Sequence, residues 1–253
     1  MKHIIKKSSL IATIILLFAG CKKITDINTS PTAASVDQTQ VEYFIDNSII
    51  HAQMNPGVSE RAFVLYWLPG GRQMADADGA TFAFADYSDE WIGEYYDNQS
   101  GALNTINSAI DVATQQIAAG TQKYYTNNLI QVSRIWRAYL ISEMSDNFGP
   151  LPISGFLAKN PEFVDVKSVY YYMLDELKDA TSKLVVSIAA VPQDVSAEDP
   201  AYGLNYAKWQ AYGNSLRLRL AMRLSEVDPS KAQSEFEDAA KGSLITDQSQ
   251  SWI

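Results

Sequence analysis

Trp209 to Ser225 reads WQAYGNSLRLRLAMRLS, and Trp209, Tyr212, Leu216, Leu220 and Leu224 recur in it every three or four residues. That spacing returns side chains to one face of an α-helix, whereas a strand would need a repeat of two. The pattern predicts a helix from about Leu204 to Glu226, with Val227 as the last member of the apolar stripe. Asp228-Pro229 comes next, a capping carboxylate with proline at the first helical position, and opens a short helix that Gly242 stops.

Toward the N-terminus the same period returns. Pro192, Pro200 and Gly203 bracket an acidic loop, and before it Val169, Tyr172, Met173, Leu177, Ala180 and Leu184 predict a helix over about Ser168–Ser187. Asn147-Phe148-Gly149-Pro150-Leu151-Pro152 breaks the chain, because proline at 150 and 152 cannot continue a helix. Ahead of that break, Leu129, Val132, Trp136, Tyr139 or Leu140, and Glu143 mark a helix from about Tyr124 to Asp146. Trp91, Tyr95, Leu103, Ile106, Ile110 and Ile117 predict another over Asp89–Ala119, ended by Gly120, with Gly101 a point of potential interruption. A first helix is expected from about Asp37 to Met54, stopped by Asn55-Pro56-Gly57. Between it and Asp89, turn signals at Pro69-Gly70-Gly71, Asp78-Gly79 and Asp86/Ser88/Asp89 predict a long irregular stretch over about 55–88. Long loops inside compact domains are uncommon and often functional.

No period-two run is long enough to carry a sheet, Phe82-Ala83-Phe84-Ala85 being the nearest. The fold class is therefore all-α, with helices in antiparallel pairs and long loops, the layout of a helical-repeat domain. The strict tetratricopeptide pattern Trp-x₂-Leu-Gly-x₂-Tyr is absent.

Composition excludes several functions. Twenty Lys+Arg against 29 Asp+Glu give a net charge of -9 over 253 residues. A nucleic-acid binder needs a basic footprint to displace counterions from phosphate. One cysteine, Cys21, excludes an intramolecular disulfide and any cysteine-based zinc site, and His3 and His51 are the only histidines. His51, near the end of the first helix, suits a solvated or capping role. No Gly-x-Ser-x-Gly, Walker loop or His-Glu-x-x-His occurs, and the carboxylate pairs Asp89/Glu90, Asp175/Glu176 and Glu237/Asp238 are helix-surface or first-turn pairs. No catalytic residue, metal or cofactor is expected.

The N-terminus begins Met1-Lys2-His3-Ile4-Ile5-Lys6-Lys7 and continues as an apolar run from Leu10 to Phe18, then Ala19-Gly20-Cys21. A positive n-region, a short apolar core and small residues before a cut describe a secretory signal. The run is too short for the roughly 20 residues of a spanning helix. The Cys after Ala-Gly resembles a bacterial lipobox, with Phe18 where leucine is usual. Residues 1–20 are read as a lipoprotein signal peptide, Cys21 as the acylated mature N-terminus, 21–36 as a tether and 37–253 as the helical domain. Cleavage removes Lys2, Lys6 and Lys7, leaving 17 basic against 29 acidic residues, a charge of -12. Acyl chains on Cys21 anchor such an acidic body, since each buried CH₂ contributes about 0.8 kcal/mol.

Three motifs carry a family resemblance. Cys21 with Ile24-Thr25-Asp26-Ile27-Asn28-Thr29-Ser30-Pro31 looks like the start of SusD/RagB-type outer-membrane lipoproteins. Ser145-Asp146-Asn147-Phe148-Gly149-Pro150-Leu151-Pro152 is similar to that family's Asp-x-Tyr/Phe-Gly-Asp-x-Pro turn, with Pro150 in place of Asp. Trp209 to Ser225 resembles its Trp-x₃-Ala-Asn-Ser-Leu-Arg-Leu-Arg helix, with Gly213 in place of Ala. The resemblance spans the mature chain but about the first half of a family member. The end of the chain, Thr246 to Ile253, shows no closing helix and finishes on Trp252-Ile253, so it is expected to be the N-terminal part of a longer protein. The resemblance implies degenerate tetratricopeptide-like helix pairs and no enzyme. It also implies capture of an oligosaccharide, or of a peptide, for delivery to a SusC-like TonB-dependent β-barrel at the cell-surface side of the outer membrane. Lys22 and Lys23 depart from the acidic residues that often follow the lipidated Cys in exported members.

Trp67 lies in the 55–88 stretch with Tyr66, Arg72, Asp76, Asp78, Phe82 and Tyr87. Sugar rings pack flat C–H faces on aromatic rings, while carboxylates and Arg take their hydroxyls. Trp67, Arg72, Asp76 and Asp78 are therefore the candidate ligand contacts. Docking on a protein partner, where Trp and Arg also concentrate binding energy, and plain packing stay open for the same residues. Met74 to Ala85 places Asp76, Asp78 and Gly79 in a calcium-loop register but lacks the carboxylates at its first and last positions. Arg219 and Arg223 share a face while Arg217 points elsewhere, an arrangement read as a solvated or interhelical salt-bridging face rather than as an anion site. Trp91, Trp136 and Trp209 are in phase with apolar stripes and read as core. The alternative function in another class is a lipoprotein scaffold with no small ligand. A glycoside hydrolase is third, for want of a placed acid pair.

Overall fold

A computed structural model describes residues 35–71, 73, 88–154, 157 and 160–251. It divides into two units, Met1–Thr39 and Gln40–Ile253. In the first, the described residues 35–39 form a turn in which Gln38 N–H donates to Ser35 O at 2.9 Å.

The second unit is helical. It comprises α1 (Val41–Ala52), α2 (Pro56–Ser59), a π-helical stretch (Glu60–Trp67), α3 (Leu68–Gly70), α4 (Asp89–Ala119), α5 (Thr126–Phe148), α6 (Val166–Lys183), α7 (Gln193–Ser196), α8 (Tyr206–Met222) and α9 (Pro229–Ala239). A 3₁₀ turn lies at Gln248–Gln250. Among the described residues there is no β-strand, only an isolated antiparallel bridge between Leu151 and Val164. No described helix is long and apolar enough to cross a membrane.

The long helices pack in chain order: α1 on α4, α4 on α5, α5 on α6, α6 on α8, and α8 on α9. The connections from α4 to α5 and from α8 to α9 are short, which makes those neighbours antiparallel. The expected helices are all present. The correction concerns 55–88: its described first part is helical, because Asn55, read as a stop, also caps the next helix, α2. Its Oδ1 accepts from Val58 N at 3.0 Å, and Pro56 sits where its missing N–H is not needed. Val227 is a second correction. It lies past the end of α8 and is 79% exposed.

Among the described residues the main core is a cluster through α1, α4, α5, α6 and α8, and a smaller one gathers Val58, Ala62 and Tyr95. In the main core Trp136 is fully buried, and its Nε1–H donates to Ser48 Oγ at 3.0 Å. Ser48 Oγ in turn donates to Ala102 O at 2.8 Å, so one chain of bonds ties α5, α1 and α4. Trp209 does the same for the acidic loop. Its Nε1–H donates to the buried Asp199 carboxylate at 2.6 Å, which also accepts the backbone N–H of Ala201, Tyr202 and Leu204. Between α5 and α6, Glu176 accepts from both Arg134 and Arg137, and Arg134 also pairs with Asp179. Burial of Glu176 works to raise its pKa, but the two guanidiniums outweigh it and hold the carboxyl below its ordinary value.

Gly213 sets the spacing of α8. A Cβ there would lie 2.5 Å from Thr181 Cγ2 on α6 and 3.2 Å from Ile135 Cδ1 on α5. Gly213→Ala gains about 1 kcal/mol in helix propensity. Overpacking of a close-packed core costs about 1–3 kcal/mol. We expect a net loss, seen as a lower urea midpoint with an unchanged slope. A raised midpoint would show that α8 can move away at no cost.

Candidate functional site

The π-helical stretch, the start of α4 and the end of α5 meet at a cleft of 520 Å³ lined by Ala62, Trp67, Trp91, Ile92, Tyr95, Asn147 and Phe148. Pockets of that size hold small ligands. Each wall has a local cause. π-Helical turns are rare and gather at functional positions. This one carries Phe63 and Trp67, whose rings meet edge-on at 4.5 Å. Trp67 also meets Tyr95 edge-on at 5.9 Å and is 38% exposed.

On α4, Ser88 caps the first turn by accepting from Trp91 N at 3.4 Å. Trp91 and Tyr95, four residues apart, then share the side that faces the cleft. The Arg61 guanidinium lies over the Trp91 ring at 5.4 Å and pairs with Glu94, so this indole is braced from the π-helical side.

The third wall is the end of α5. Gly149 has φ +81, a backbone that other L-residues adopt only with strain, and a Cβ there would meet nothing closer than Val166 Cγ2 at 3.8 Å. The requirement for glycine is thus conformational. This turn leaves Phe148 stacked on Tyr95 at 5.8 Å and edge-on to Tyr96 at 5.0 Å. Asn147 Nδ2 donates to Tyr95 Oη at 3.2 Å and to Glu143 O at 2.7 Å. Behind it, Tyr170 Oη donates to Asp146 Oδ1 at 2.5 Å and accepts from Arg223 Nε at 2.7 Å. Arg223 pairs with Asp146 directly at 3.0 Å. This clamp fixes the end of α5 against α6 and α8.

Tyr95 also lines a second cleft of 320 Å³, with Gln53, Ser59, Phe63, Gln99, Tyr139 and Glu143 among its walls. Burial, and then the Glu143 charge, push the Tyr95 hydroxyl well above the usual tyrosine range. Burial likewise raises Glu143, against Arg219 and with Asp146. A larger cleft of 690 Å³ lies around Asp146, Tyr170, Tyr171, Arg223 and Asp228, but these groups already hydrogen-bond one another. Among the described residues no cluster of His, Cys, Asp and Glu could hold a metal.

A family model described as "SusD-like_2: Starch-binding associating with outer membrane" matches residues 38–252. The chain belongs to the SusD-like family. Among solved structures, a SusD homologue from Parabacteroides distasonis is 27% identical, with a TM-score of 0.71, over 84% of this chain and 41% of that one. A chitin-binding protein gives a TM-score of 0.72 at 19% identity, over 83% and 45% of the two chains. A chitin-binding SusD homologue from Flavobacterium johnsoniae gives 0.61 at 24% identity, over 79% and 42%. This chain therefore spans about two-fifths of the length of these SusD-like structures. No curated protein matches. The family is one of binding proteins rather than enzymes.

Of the candidate ligand contacts, Trp67 lines the aromatic cleft. Arg72, Asp76 and Asp78 lie outside the described residues, as do Cys21, the signal peptide, Met74–Ala85 and Trp252-Ile253. Trp136 and Trp209 are core as expected, but Trp91 is half-buried at the cleft and not in the core. Asn147 and Phe148 carried a signal only as a chain break. The arginines of α8 do form interhelical pairs: Arg217 with Glu235 and Asp238, Arg219 with Glu143 at 3.8 Å, and Arg223 with Asp146.

Proposed function

We propose that this SusD-like chain captures an oligosaccharide at the outer membrane and passes it to a SusC-like TonB-dependent β-barrel. The observation that carries this reading is the cleft in which Trp67, Trp91, Tyr95 and Phe148 gather around Asn147. Indole and phenol faces offer flat apolar area to sugar C–H groups, and the Asn147 amide offers hydrogen bonds to hydroxyls. The family's description as starch-binding, and the chitin-binding names of two structural relatives, agree with a glycan ligand. Arg72, Asp76 and Asp78, a few residues beyond Trp67, would add polar contacts. Acylation at Cys21 would hold the domain at the membrane through the 21–36 tether.

Titrating soluble glucan oligomers, N-acetylglucosamine oligomers and peptides into the mature protein, read by tryptophan fluorescence, tests the ligand. Oligosaccharide should change the emission saturably; no response to any oligosaccharide would leave the scaffold reading in its place. Affinity purification of the native lipoprotein from its outer membrane tests the partner. A large β-barrel is expected in near-equal amount, and recovery of the protein alone would remove the transporter from the account.

A further inference from the structure

The second cleft has a different chemistry from the first, although Tyr95 belongs to both. Its walls include Gln53, Ser59, Tyr95, Gln99, Tyr139 and Glu143. Gln99 is almost fully buried, its amide directed at Ala52 O at 3.5 Å. The Glu143 side chain is 29% exposed, and among the described residues its carboxylate forms one ion pair, with Arg219 at 3.8 Å. That distance is beyond a hydrogen bond. Arg219 is itself more than half exposed, and its guanidinium lies 6.0 Å from the centre of the Tyr139 ring. A partly desolvated carboxylate that lines a cleft together with two tyrosines, and has no close donor among the described residues, matches an ammonium group. The charge-assisted hydrogen bond goes to the carboxylate, and the rings attract the cation through their faces.

We propose that this cleft is a subsite for a protonated amino-sugar residue, next to the aromatic platform across Tyr95. The inference rests on the oligosaccharide reading of that platform and adds the class of sugar. One cleft supplies stacking, and the other supplies a carboxylate, which binds an ammonium more strongly than it binds the hydroxyl of a neutral hexose. The ligand would be an oligosaccharide in which at least one residue keeps a free amine, and N-acetylation would remove the attraction along with the charge.

The test is isothermal titration of the mature protein with glucosamine oligomers, N-acetylglucosamine oligomers and glucan oligomers of equal length. A hydrogen bond to a charged group is worth enough to predict about tenfold or more tighter binding of the free-amine oligomer over its acetylated counterpart. Glu143→Gln should bring that ratio to about one, while Arg219→Gln, which removes the competing cation from an exposed position, should raise it. Equal affinities in the wild type, or a preference that survives Glu143→Gln in a variant whose melting temperature shows it folded, would overturn the subsite and leave the platform standing. Failure of all three oligomers to bind would overturn both.

Discussion

Arg217→Ala is expected to destabilise the domain by about 3–5 kcal/mol, the cost of leaving a buried carboxylate without its partner. Arg217 is buried on α8, where its Nε donates to Glu235 Oε2 at 2.7 Å and its Nη2 to Asp238 at 2.9 Å. Among the described residues Glu235, also buried, keeps only Lys231 at 2.8 Å once the guanidinium is gone. The Arg217–Glu235 pair links α9 to α8, alongside the buried Ala232 and Ala239 of α9. Burial tends to raise the Glu235 pKa, but Lys231 and Arg217 together outweigh it and hold it below the ordinary 4.5. A depressed carboxylate pKa contributes stability that is complete above the unfolded value and is lost as the pH falls through the folded one. The gap between wild type and variant should therefore be widest at neutral pH and narrow in acid, as Glu235 takes up its proton. Urea unfolding at neutral pH and again below the carboxylate range checks both parts. A loss under about 1 kcal/mol, or a gap that acid does not narrow, would contradict the account. Replacing both partners with apolar residues should recover much of the loss, because a well-packed apolar pair often equals a buried ion pair.

Trp136→Ala and Trp67→Ala make the same chemical change with opposite consequences. Trp136 is wholly enclosed, stacks on Tyr139 at 4.9 Å and donates to Ser48. Its removal leaves a large cavity and strands the Ser48 acceptor, at a cost of about 3–5 kcal/mol. For a domain of this size that is a fall in melting temperature on the order of 10 °C. Trp67 rests on Phe63 and Tyr95 from one side and is exposed on the other, so its loss should cost about 1 kcal/mol or less. Calorimetry on the two variants separates them. Equal falls in melting temperature would mean that Trp67 is a packing residue and that the cleft is not a site.

The helices are legible because their large apolar residues keep a helical period, as Leu129, Val132, Trp136 and Leu140 do in α5. What that period misses is small or polar. In α4 the buried line runs through Ala102, Ala109, Ala113 and Gln116, where neighbouring helices come close, while Ile110 and Ile117 are only half-buried. The π-helical stretch is illegible for another reason. Its turns do not keep the helical period, and Asn55-Pro56 stops one helix and starts the next with the same residues. Trp67 reads as a candidate because it stands among turn signals with other aromatic residues. Trp91 does not, since its spacing to Tyr95 is the same whether the shared face meets a core or a cleft. Asn147 and Phe148 enter the site only because Gly149 turns the chain at that point. A motif notable for its prolines thus supplies two of the residues that line the cleft. The Glu143 cleft depends on residues from α1, the π-helical stretch, α4 and α5, a convergence that no local spacing encodes.

The central claim is that Trp67 and its neighbours form the surface on which the oligosaccharide rests. The most direct measurement is a paired titration of wild type and Trp67→Ala with the tightest-binding oligosaccharide, at equal protein stability. Stacking on an aromatic ring is commonly worth a few kcal/mol at a desolvated site, so the variant should bind at least about tenfold more weakly with its fold intact. Affinity unchanged by the loss of Trp67 would place the ligand elsewhere on the molecule and contradict the site described above.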